Sequence, residues 1–147
     1  MAAGVLTRGH MRNSRSVILL PLLIACSDEL SDYESLGPRY EARGWLAAST
    51  NPSPFGSNRF DTKDAAAAFI DSLYAVGADT VWVLNVEQDS AWVAREGGPY
   101  ADALLVHLPS DRSARRRLFT YGAREARHEG FDPERDRGQR YLYFWWD

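Results

Sequence analysis

The sequence predicts one small α+β domain in which strands and helices follow the order β-α-β-β-α-β. Two observations support this class. Hydrophobic residues recur with a period of two in some segments and of 3.6 in others, and Gly, Pro and Asn separate those segments. The chain has 147 residues, of which 45% are hydrophobic and 25% charged, a composition typical of one globular domain. Two βαβ units joined in this order predict the ferredoxin-like βαββαβ sandwich, a four-stranded antiparallel sheet with two helices on one face.

The first strand and the first helix are predicted on either side of a loop. Residues 42–49 form the first strand, although glycine and alanine are weak strand formers. Residues 51–58 contain prolines, asparagines and a glycine, which predicts the loop. Asp61 or Thr62 then caps a helix that ends at Gly77, where a left-handed residue belongs. The apolar positions of this helix, spaced as one buried face, are Ala66, Phe69, Ile70, Leu73 and Val76.

Two further strands are predicted in the middle of the chain. Residues 80–86 (TVWVLNV) are β-branched and aromatic, which favours a strand. Residues 87–100 contain Gly-Gly-Pro and connect it to a third strand at residues 102–108. The side chains of the third strand that are expected under the helices are Leu104, Val106 and Leu108. Leu105 and His107 are then expected on the opposite side of the sheet.

The second helix and the last strand complete the predicted fold. Ser110 or Asp111 caps a helix that runs to about residue 129 and is closed by Gly130. The apolar face of this helix holds Ala114, Leu118, Gly122 and Ala126, with Phe119 beside them. Residues 141–146 (YLYFWW) form the last strand, which lies at a sheet edge in this topology.

The N-terminus has the features of a targeting segment. Arg12 and Arg15 precede the apolar run 17–25, so a positively charged region is followed by a short hydrophobic one. This run is about half as long as the roughly 20 residues that span a bilayer as a helix, so a permanent transmembrane anchor is not expected. Met11 begins a complete charged region by itself, which leaves Met1 and Met11 both open as the start of translation.

The tetrapeptide Leu23-Ile24-Ala25-Cys26 at the end of this run resembles the lipobox of bacterial lipoproteins. The resemblance implies cleavage before Cys26, a diacylglyceryl group on its sulfur, and commonly acylation of the amine that cleavage frees. Ordinary signal-peptidase cleavage would prefer a small residue at position −3, where this chain has Leu23. Burial of two or three acyl chains holds a protein firmly on a bilayer. Ser27 favours the outer membrane by analogy with sorting patterns in diderm bacteria.

The predicted organisation is a signal peptide at residues 1–25, a lipidated cysteine with a flexible acidic tether at 26–38, and a single α+β domain at 39–147. Loss of three arginines with the signal changes the net charge from −3 to −6. Nucleic acid is therefore not an expected partner, because affinity for it comes largely from neutralised phosphates. The single cysteine excludes an internal disulfide.

No recognised catalytic motif is present. His107 and His128 are the histidines outside the signal, and neither has a Gly-x-Ser-x-Gly elbow or a His-Glu-x-x-His partner. One alternative function nevertheless uses His107, with Asp102 or another acid, in a small envelope hydrolase. The sequence predicts no cofactor.

An acidic loop near the C-terminus has some features of a calcium site. Asp132, Glu134 and Asp136 are spaced two residues apart, as oxygen ligands for calcium would be. In an EF-hand, however, a glutamate would stand where this chain has Tyr143, and neighbouring arginines can neutralise the acids. A salt-bridged loop is therefore expected, and no metal site is predicted.

The second helix is rich in arginine, and two interpretations stay open. Its arginines are Arg112, Arg115, Arg116, Arg117, Arg124 and Arg127. They could form a solvated surface paired with nearby acids. In a lipid-tethered domain they could also rest on anionic headgroups, each basic residue adding about 1 kcal/mol.

The last strand carries the strongest candidate binding residues. The side chains expected under the helices are Leu142, Phe144 and Trp146. Tyr141, Tyr143 and Trp145 then point to the opposite side of the sheet, together with Trp82 of the second strand. An uncovered aromatic face of this kind would suit a protein or peptide partner. The alternative is that the loop at 51–58, the long hairpin or the tether covers these rings.

The sequence therefore favours a lipid-anchored lipoprotein of the bacterial cell envelope. Its domain would face the periplasm or the exterior and would act by binding rather than by catalysis. The alternatives are the hydrolase that uses His107 and an inhibitor or immunity protein, since a small acidic domain with an open sheet could be either.

Overall fold

The computed structural model describes residues 29–56 and 59–146. The predicted signal peptide and Cys26 lie outside the described residues. In chain order the elements are the 3₁₀ helix Ser31–Leu36, β1 (Tyr40–Glu41), α1 (Ala42–Ala48), α2 (Lys63–Ala75), β2 (Thr80–Val86), α3 (Ser90–Arg95), β3 (Ala101–His107), α4 (Arg112–His128) and β4 (Tyr141–Trp145).

The sheet has four strands in the order β1-β2-β3-β4, and every neighbouring pair is antiparallel. Val106 of β3 lies opposite Val81 of β2 and Leu142 of β4, so β3 is a central strand and β4 is an edge strand. Both long helices pack on one face, because Ile70 of α2 and Leu118 of α4 belong to the same buried cluster as Val106. The predicted α+β class, the four-stranded antiparallel sheet and the edge position of the last strand are confirmed.

The sequential strand order differs from the ferredoxin-like order, in which the first strand would separate the third from the fourth. After α4 ends, residues 130–140 return along the helix, and β4 pairs antiparallel with β3. Arg115 of α4 holds this return segment. Its Nε donates to the carboxylate of Asp136 at 3.0 Å, and its Nη2 donates to the carbonyl of Gln139 at 3.0 Å. Hydrophobic spacing identifies the elements but carries no signal for this return, so the crossover predicted after the second helix is not formed.

The strand predicted at residues 42–49 is wrong, because α1 occupies nearly all of these residues. Only the two residues of β1, directly before the helix, pair with β2. Glu41 caps the helix by accepting a hydrogen bond from the backbone N–H of Gly44 at 2.8 Å, and alanine favours helix over strand. Ala42 and Leu46, four residues apart, turn one face of this helix into the core.

Both long helices begin at residues that were predicted as caps. Thr62 accepts a hydrogen bond from the N–H of Ala65 at 3.1 Å, and Asp111 accepts one from Ala114 at 2.7 Å. The connection between β2 and β3 contains the short helix α3, capped by Asp89, which the sequence did not predict. Within the described ranges, no helix combines the length and the apolar character needed to cross a bilayer.

Aromatic side chains fill the core between the sheet and the helices. Trp146 is fully buried. Its ring lies 5.6 Å from that of Phe55, 5.5 Å from that of Phe60 and 6.1 Å from that of Phe69. The predicted alternation of the last strand is confirmed on this side, because every second residue from 142 to 146 joins the same cluster.

Gly77 lies at the end of α2, where this helix closely approaches α4. Its φ is +111°, and a Cβ added there would lie 2.8 Å from the Cβ of Ala114. Gly77→Ala should lower the free energy of unfolding by about 3 kcal/mol, because left-handed strain and overpacking each cost about 1–2 kcal/mol. Equilibrium denaturation with urea measures this loss.

Gly130, at the end of α4, provides the matched control. Its φ is +82°, but an added Cβ would meet no heavy atom within 4 Å. Gly130→Ala should therefore show the backbone strain alone, about 1 kcal/mol. Equal losses in the two variants would contradict the close contact between α2 and α4.

Candidate functional site

The face of the sheet that points away from the long helices carries the predicted aromatic site. We call it the open face; it consists of Trp82, Leu84, Ala103, Leu105, Tyr141, Tyr143 and Trp145. The alternation predicted for the last two strands is confirmed here as well. The structure thus brings all four predicted partner-binding residues, Trp82, Tyr141, Tyr143 and Trp145, onto one surface.

Residues 29–36 cover much of the open face. Tyr33 stacks on Tyr143 with ring centroids 5.6 Å apart, and it meets Tyr141 edge-on at 6.5 Å. As a result Tyr141 is only 3% exposed, whereas Tyr143 and Trp145 are partly exposed. Of the two expectations for this face, the one in which the tether covers the rings is therefore observed for residues 29–36. A partner could reach Tyr141 only if this segment moved away.

The spacing of three apolar residues explains why the segment docks. Leu30, Tyr33 and Leu36 all pack on the open face, and they are spaced by three residues, which is the period of a 3₁₀ helix. The acidic and polar residues between them give the segment the composition of a tether. The three-residue period is the sequence signal that could have predicted the docking.

The stacked tyrosines Tyr33 and Tyr143 are harder to ionise than free tyrosines. Burial raises the pKa of Tyr143 to about 12, and the neighbouring Asp102 and Tyr33 act in the same direction. Burial also raises the pKa of Tyr33, with smaller contributions from Glu134 and other carboxylates nearby. The contact between Tyr33 and Tyr143 is therefore a stack of two uncharged rings at neutral pH.

A groove runs along the outer edge of β4, between this strand and the C-terminal half of α4. We call it the edge groove; its volume is about 580 Å³, and the residues that line it include Gly122, Ala126, Phe131, Leu142, Tyr143 and Trp145. Phe131 is 50% exposed, and its ring lies 5.5 Å from that of Trp145. Two of the predicted partner-binding residues, Tyr143 and Trp145, thus belong to the groove, whereas Tyr141 and Trp82 do not line it.

The backbone of β4 presents hydrogen-bonding groups along this groove. Hydrogen bonds mark the two ends of the β3–β4 pair. The N–H of Leu108 donates to the carbonyl of Arg140 at 2.8 Å, and the N–H of Trp146 donates to the carbonyl of Asp102 at 2.9 Å. Because alternate residues of an antiparallel strand bond to the same neighbour, the backbone groups of Tyr143 and Trp145 point away from β3. No backbone group of the described residues pairs with them.

The rim of the edge groove is acidic, and its base holds a buried carboxylate. Asp132 and Glu134 line the groove and are exposed. Glu125 is only 2% exposed. It accepts hydrogen bonds from Arg59 Nε at 2.6 Å and from the indole N–H of Trp146 at 3.3 Å. Glu125 therefore ties the segment before α2 to α4, and the rim supplies the accessible negative charge.

The ionised form of Glu125 is the stable one in the folded protein. Burial by itself would raise the pKa of Glu125, but hydrogen bonds from Arg59 and Arg124 outweigh it and hold that pKa below the ordinary value. A carboxylate that is held this firmly by its partners is a structural group.

His107 does not meet Asp102, the acid predicted to assist it. Asp102 lies near the opposite end of β3, whereas Asp79 lies 3.6 Å from Nδ1 of His107. The imidazole ring packs against Tyr141 and Trp82, with centroids 5.3 and 6.1 Å away. Among the described residues, no hydrogen bond joins His107 to a serine or threonine hydroxyl.

In the acidic segment considered as a calcium site, Asp136 pairs with Arg115 of α4 and not with a neighbouring arginine of the loop. Hydrogen bonds from Arg115 lower the pKa of Asp136, and the backbone N–H of Gly138 adds to this effect. Glu134 accepts a hydrogen bond from the side chain of Gln139 at 2.9 Å. In the described ranges, no three His, Cys, Asp or Glu side chains are grouped so that they could hold a metal ion.

A second aromatic patch, which the sequence analysis missed, lies on α3. Trp92 is 46% exposed, and the guanidinium of Arg95 lies 3.6 Å from its ring centroid. The ring of Tyr100 lies 6.3 Å from that of Trp92. This helix has only six residues, too few for hydrophobic spacing to reveal it.

Comparisons of the chain with protein-family models, with curated proteins and with solved structures found no match. Functional inference therefore depends on the residues and the geometry of the chain itself.

Glu125 should make the stability of the fold depend on acidity. Because the pKa of Glu125 is lowered in the folded protein, the unfolded chain binds more protons at this position in acid. Its contribution to stability is complete above the ordinary pKa of 4.5 and is lost as the pH falls through the folded value. The free energy of unfolding, measured by urea titration near pH 7 and near pH 4, should therefore decrease in acid.

Glu125→Gln should remove this part of the acid dependence. Near pH 7 it should cost about 3 kcal/mol, the low end for a buried ion pair that loses one partner, because Arg59 is partly exposed. Glu96→Gln, at an exposed carboxylate, is the control and should change stability by less than about 0.5 kcal/mol. If Glu125→Gln left both the stability and its acid dependence unaltered, the role given to Glu125 would be refuted.

Proposed function

We propose that this chain is a bacterial envelope lipoprotein, held on a membrane by lipid on Cys26, whose domain binds an extended peptide segment of a partner protein along the edge groove. The charged N-terminal region, the short apolar run and the motif Leu23-Ile24-Ala25-Cys26 support the anchor. The domain faces the periplasm or the exterior, and Ser27 favours the outer membrane.

The proposal of peptide binding depends on backbone groups of β4 that have no backbone partner among the described residues and lie beside exposed aromatic rings. A partner segment in extended conformation would pair with the outward N–H and C=O groups of Tyr143 and Trp145 and would continue the sheet. Uncovered edge strands are suited to such pairing. Phe131 and Trp145 would contact an apolar side chain of the segment, and aromatic residues are enriched among those that dominate binding energy.

The chemistry of the groove indicates the kind of segment that fits it. Side chains of an extended peptide alternate in direction, so every second residue would face the apolar floor of the groove. Asp132 and Glu134 at the rim would favour a lysine or arginine nearby. The partner segment is therefore expected to alternate apolar residues and to carry at least one basic residue. A binding module and an inhibitor or immunity protein could both use such a contact.

The hydrolase alternative has less support. The ring of His107 packs against two aromatic side chains, and its nearest acid, Asp79, is half-exposed. Within the described part of the chain, no hydroxyl is hydrogen-bonded to His107 as a nucleophile would be.

The anchor is tested by Cys26→Ser in the full-length chain. The native product should have the mass of a chain that begins at Cys26 and carries two or three acyl groups. The variant should have no lipid and should keep its leader, because the lipoprotein peptidase needs the modified cysteine. Mass spectrometry and electrophoretic mobility of the membrane fraction measure both outcomes.

Ser27→Ala is the matched control, since it changes the next residue and leaves the cysteine in place. It should be processed and lipidated like the native chain. An unmodified thiol on the native product, or a Cys26→Ser product with native mobility in the membrane fraction, would end the lipoprotein proposal.

Peptide binding is tested by panning a displayed library of random peptides against the mature protein. The enriched peptides should alternate apolar residues and contain a basic one. Phe131→Ala and Trp145→Ala should each raise the Kd of these peptides about 30-fold, which corresponds to about 2 kcal/mol at a dominant aromatic contact.

Trp92→Ala removes an equally exposed aromatic side chain outside the edge groove and should leave the Kd unchanged. Circular dichroism of each variant checks that the fold is intact. Failure to enrich any peptide, or an equal loss of affinity in Trp92→Ala, would count against the edge groove as the binding site.

A further inference from the structure

The described chain enters the domain at one particular end of the sheet. The carboxylate of Glu29 accepts a hydrogen bond from the backbone N–H of Arg140 at 2.7 Å, directly before β4. β3 finishes at the same place, because Tyr141 pairs with His107. We call this the anchor end of the sheet. The opposite end carries α3, which follows β2 and precedes β3, and lies about 20 Å away along seven-residue strands.

Only a few residues of the chain separate the anchor end from the proposed lipid. Cys26 precedes Glu29 by three residues, so at most about 10 Å of extended backbone separates them. Because residues 29–36 pack on the open face, they do not act as a spacer. If Cys26 carries lipid, as the proposed function requires, the anchor end is therefore held beside the headgroups.

Three arginines without a carboxylate partner in the described ranges lie at this end. Arg112 and Arg116 in the first turns of α4, and Arg137 in the return segment, are exposed. Among the described residues their side chains take part in no ion pair or hydrogen bond. Arg115 joins the two segments by its contacts with Asp136 and with the carbonyl of Gln139. Arg112 and Arg116 line the surface between the segments together with Asp136 and Gly138, the chain neighbours of Arg137.

The charge of the domain is unevenly distributed. Residues 111–140 contain nine arginines and six carboxylates, whereas residues 29–110 contain twelve carboxylates and five basic residues. A domain of negative net charge therefore has its positive charge on α4, where residues 112–128 contain six arginines and one carboxylate, whereas residues 130–140 contain three of each. Near an anionic surface, this asymmetry favours one orientation over the others.

We propose that the surface formed by the first turns of α4 and residues 135–140 rests on anionic phospholipid headgroups beside the lipid anchor. Basic residues close to such a bilayer strengthen the contact, and a lipid chain combined with a basic patch holds better than either one alone. In this orientation α3 points away from the membrane. Phe131 and Trp145 lie toward the same distal end, because Trp145 pairs with Ala103 near the start of β3.

The orientation is tested with the lipidated mature protein in vesicles. With Cys26 blocked by lipid, Ser110→Cys and Ser90→Cys variants each provide one thiol for a fluorophore, the first at the anchor end and the second on α3. Vesicles contain phosphatidylcholine alone or with phosphatidylglycerol, together with a lipid that carries a quencher on its headgroup. Quenching at position 110 should rise when phosphatidylglycerol is present, and quenching at position 90 should stay low in both.

Charge-reversal variants show which arginines contact the headgroups. In the Ser110→Cys background, we combine Arg112→Glu with Arg137→Glu. The ratio of domains in contact with the headgroups to domains out of contact should fall by about 30-fold or more, since each basic residue lost lowers it about fivefold. Arg39→Glu with Arg127→Glu makes the same change in net charge at exposed arginines away from the anchor end and should leave the quenching unchanged.

The outcomes separate this proposal from the anchor itself. Equal quenching at position 110 with and without phosphatidylglycerol, stronger quenching at position 90, or an equal effect of the control pair would overturn the proposed orientation while leaving lipidation intact. A mature protein without lipid would instead overturn the anchor. Sedimentation of that protein with phosphatidylglycerol vesicles would then still test the arginine surface, because its binding should depend on Arg112 and Arg137 and not on Arg39 and Arg127.

Discussion

Strand β4 has to bury aromatic side chains on both faces while one of its edges stays open, and the rest of the structure follows from this constraint. On one side Trp146, just beyond the strand, fills the core beneath the helices together with Phe144. On the other side Tyr141 and Tyr143 need a cover, which the N-terminal segment supplies through Tyr33. Neither contact occupies the outward backbone groups of the strand, so the edge groove remains beside a strand that is otherwise firmly packed.

Local chemistry explains how much of this fold could be predicted from the sequence. Thr62 and Asp111 cap helices in the structure as their residue types predict, and the alternation along β4 assigns each of its side chains to the correct face. The failures lie where local and tertiary preferences differ. Residues 42–48 contain one strand-favouring residue, Trp45, but three alanines, which favour a helix. The strand order depends on how residues 130–140 return.

The candidate site was predictable in part for the same reason. Tyr143 and Trp145 lie on the open face because side chains alternate along a strand, and this alternation is a local property. The burial of Tyr141 depends on Tyr33, more than a hundred positions earlier in the chain, and the opening of the edge groove depends on where Phe131 lies after the helix. Both contacts join residues of different segments, so neither leaves a periodic trace in the sequence. The three-residue spacing of Leu30, Tyr33 and Leu36 nevertheless indicates that one face of their segment is apolar.

The two proposals describe a molecule with two different ends. Arginines and the point of chain entry lie together at one end of the sheet, and exposed aromatic side chains such as Trp92 and Phe131 lie toward the other. If Cys26 carries lipid, the short connection to it leaves such a domain little freedom to turn over. A partner would then meet the aromatic end first, which is the arrangement that a membrane-held binding module needs.

Arg115 shows that the arginine bias of this chain is not only a matter of composition. Lys63 is the single lysine among 17 basic residues, which by itself says nothing about structure. The guanidinium of Arg115 nevertheless uses three different nitrogens to reach Asp136 and the carbonyls of Gln139 and Pro109. A lysine offers one nitrogen and could not span these directions at once. Homologues should therefore keep arginine at this position, even where lysine replaces their surface arginines.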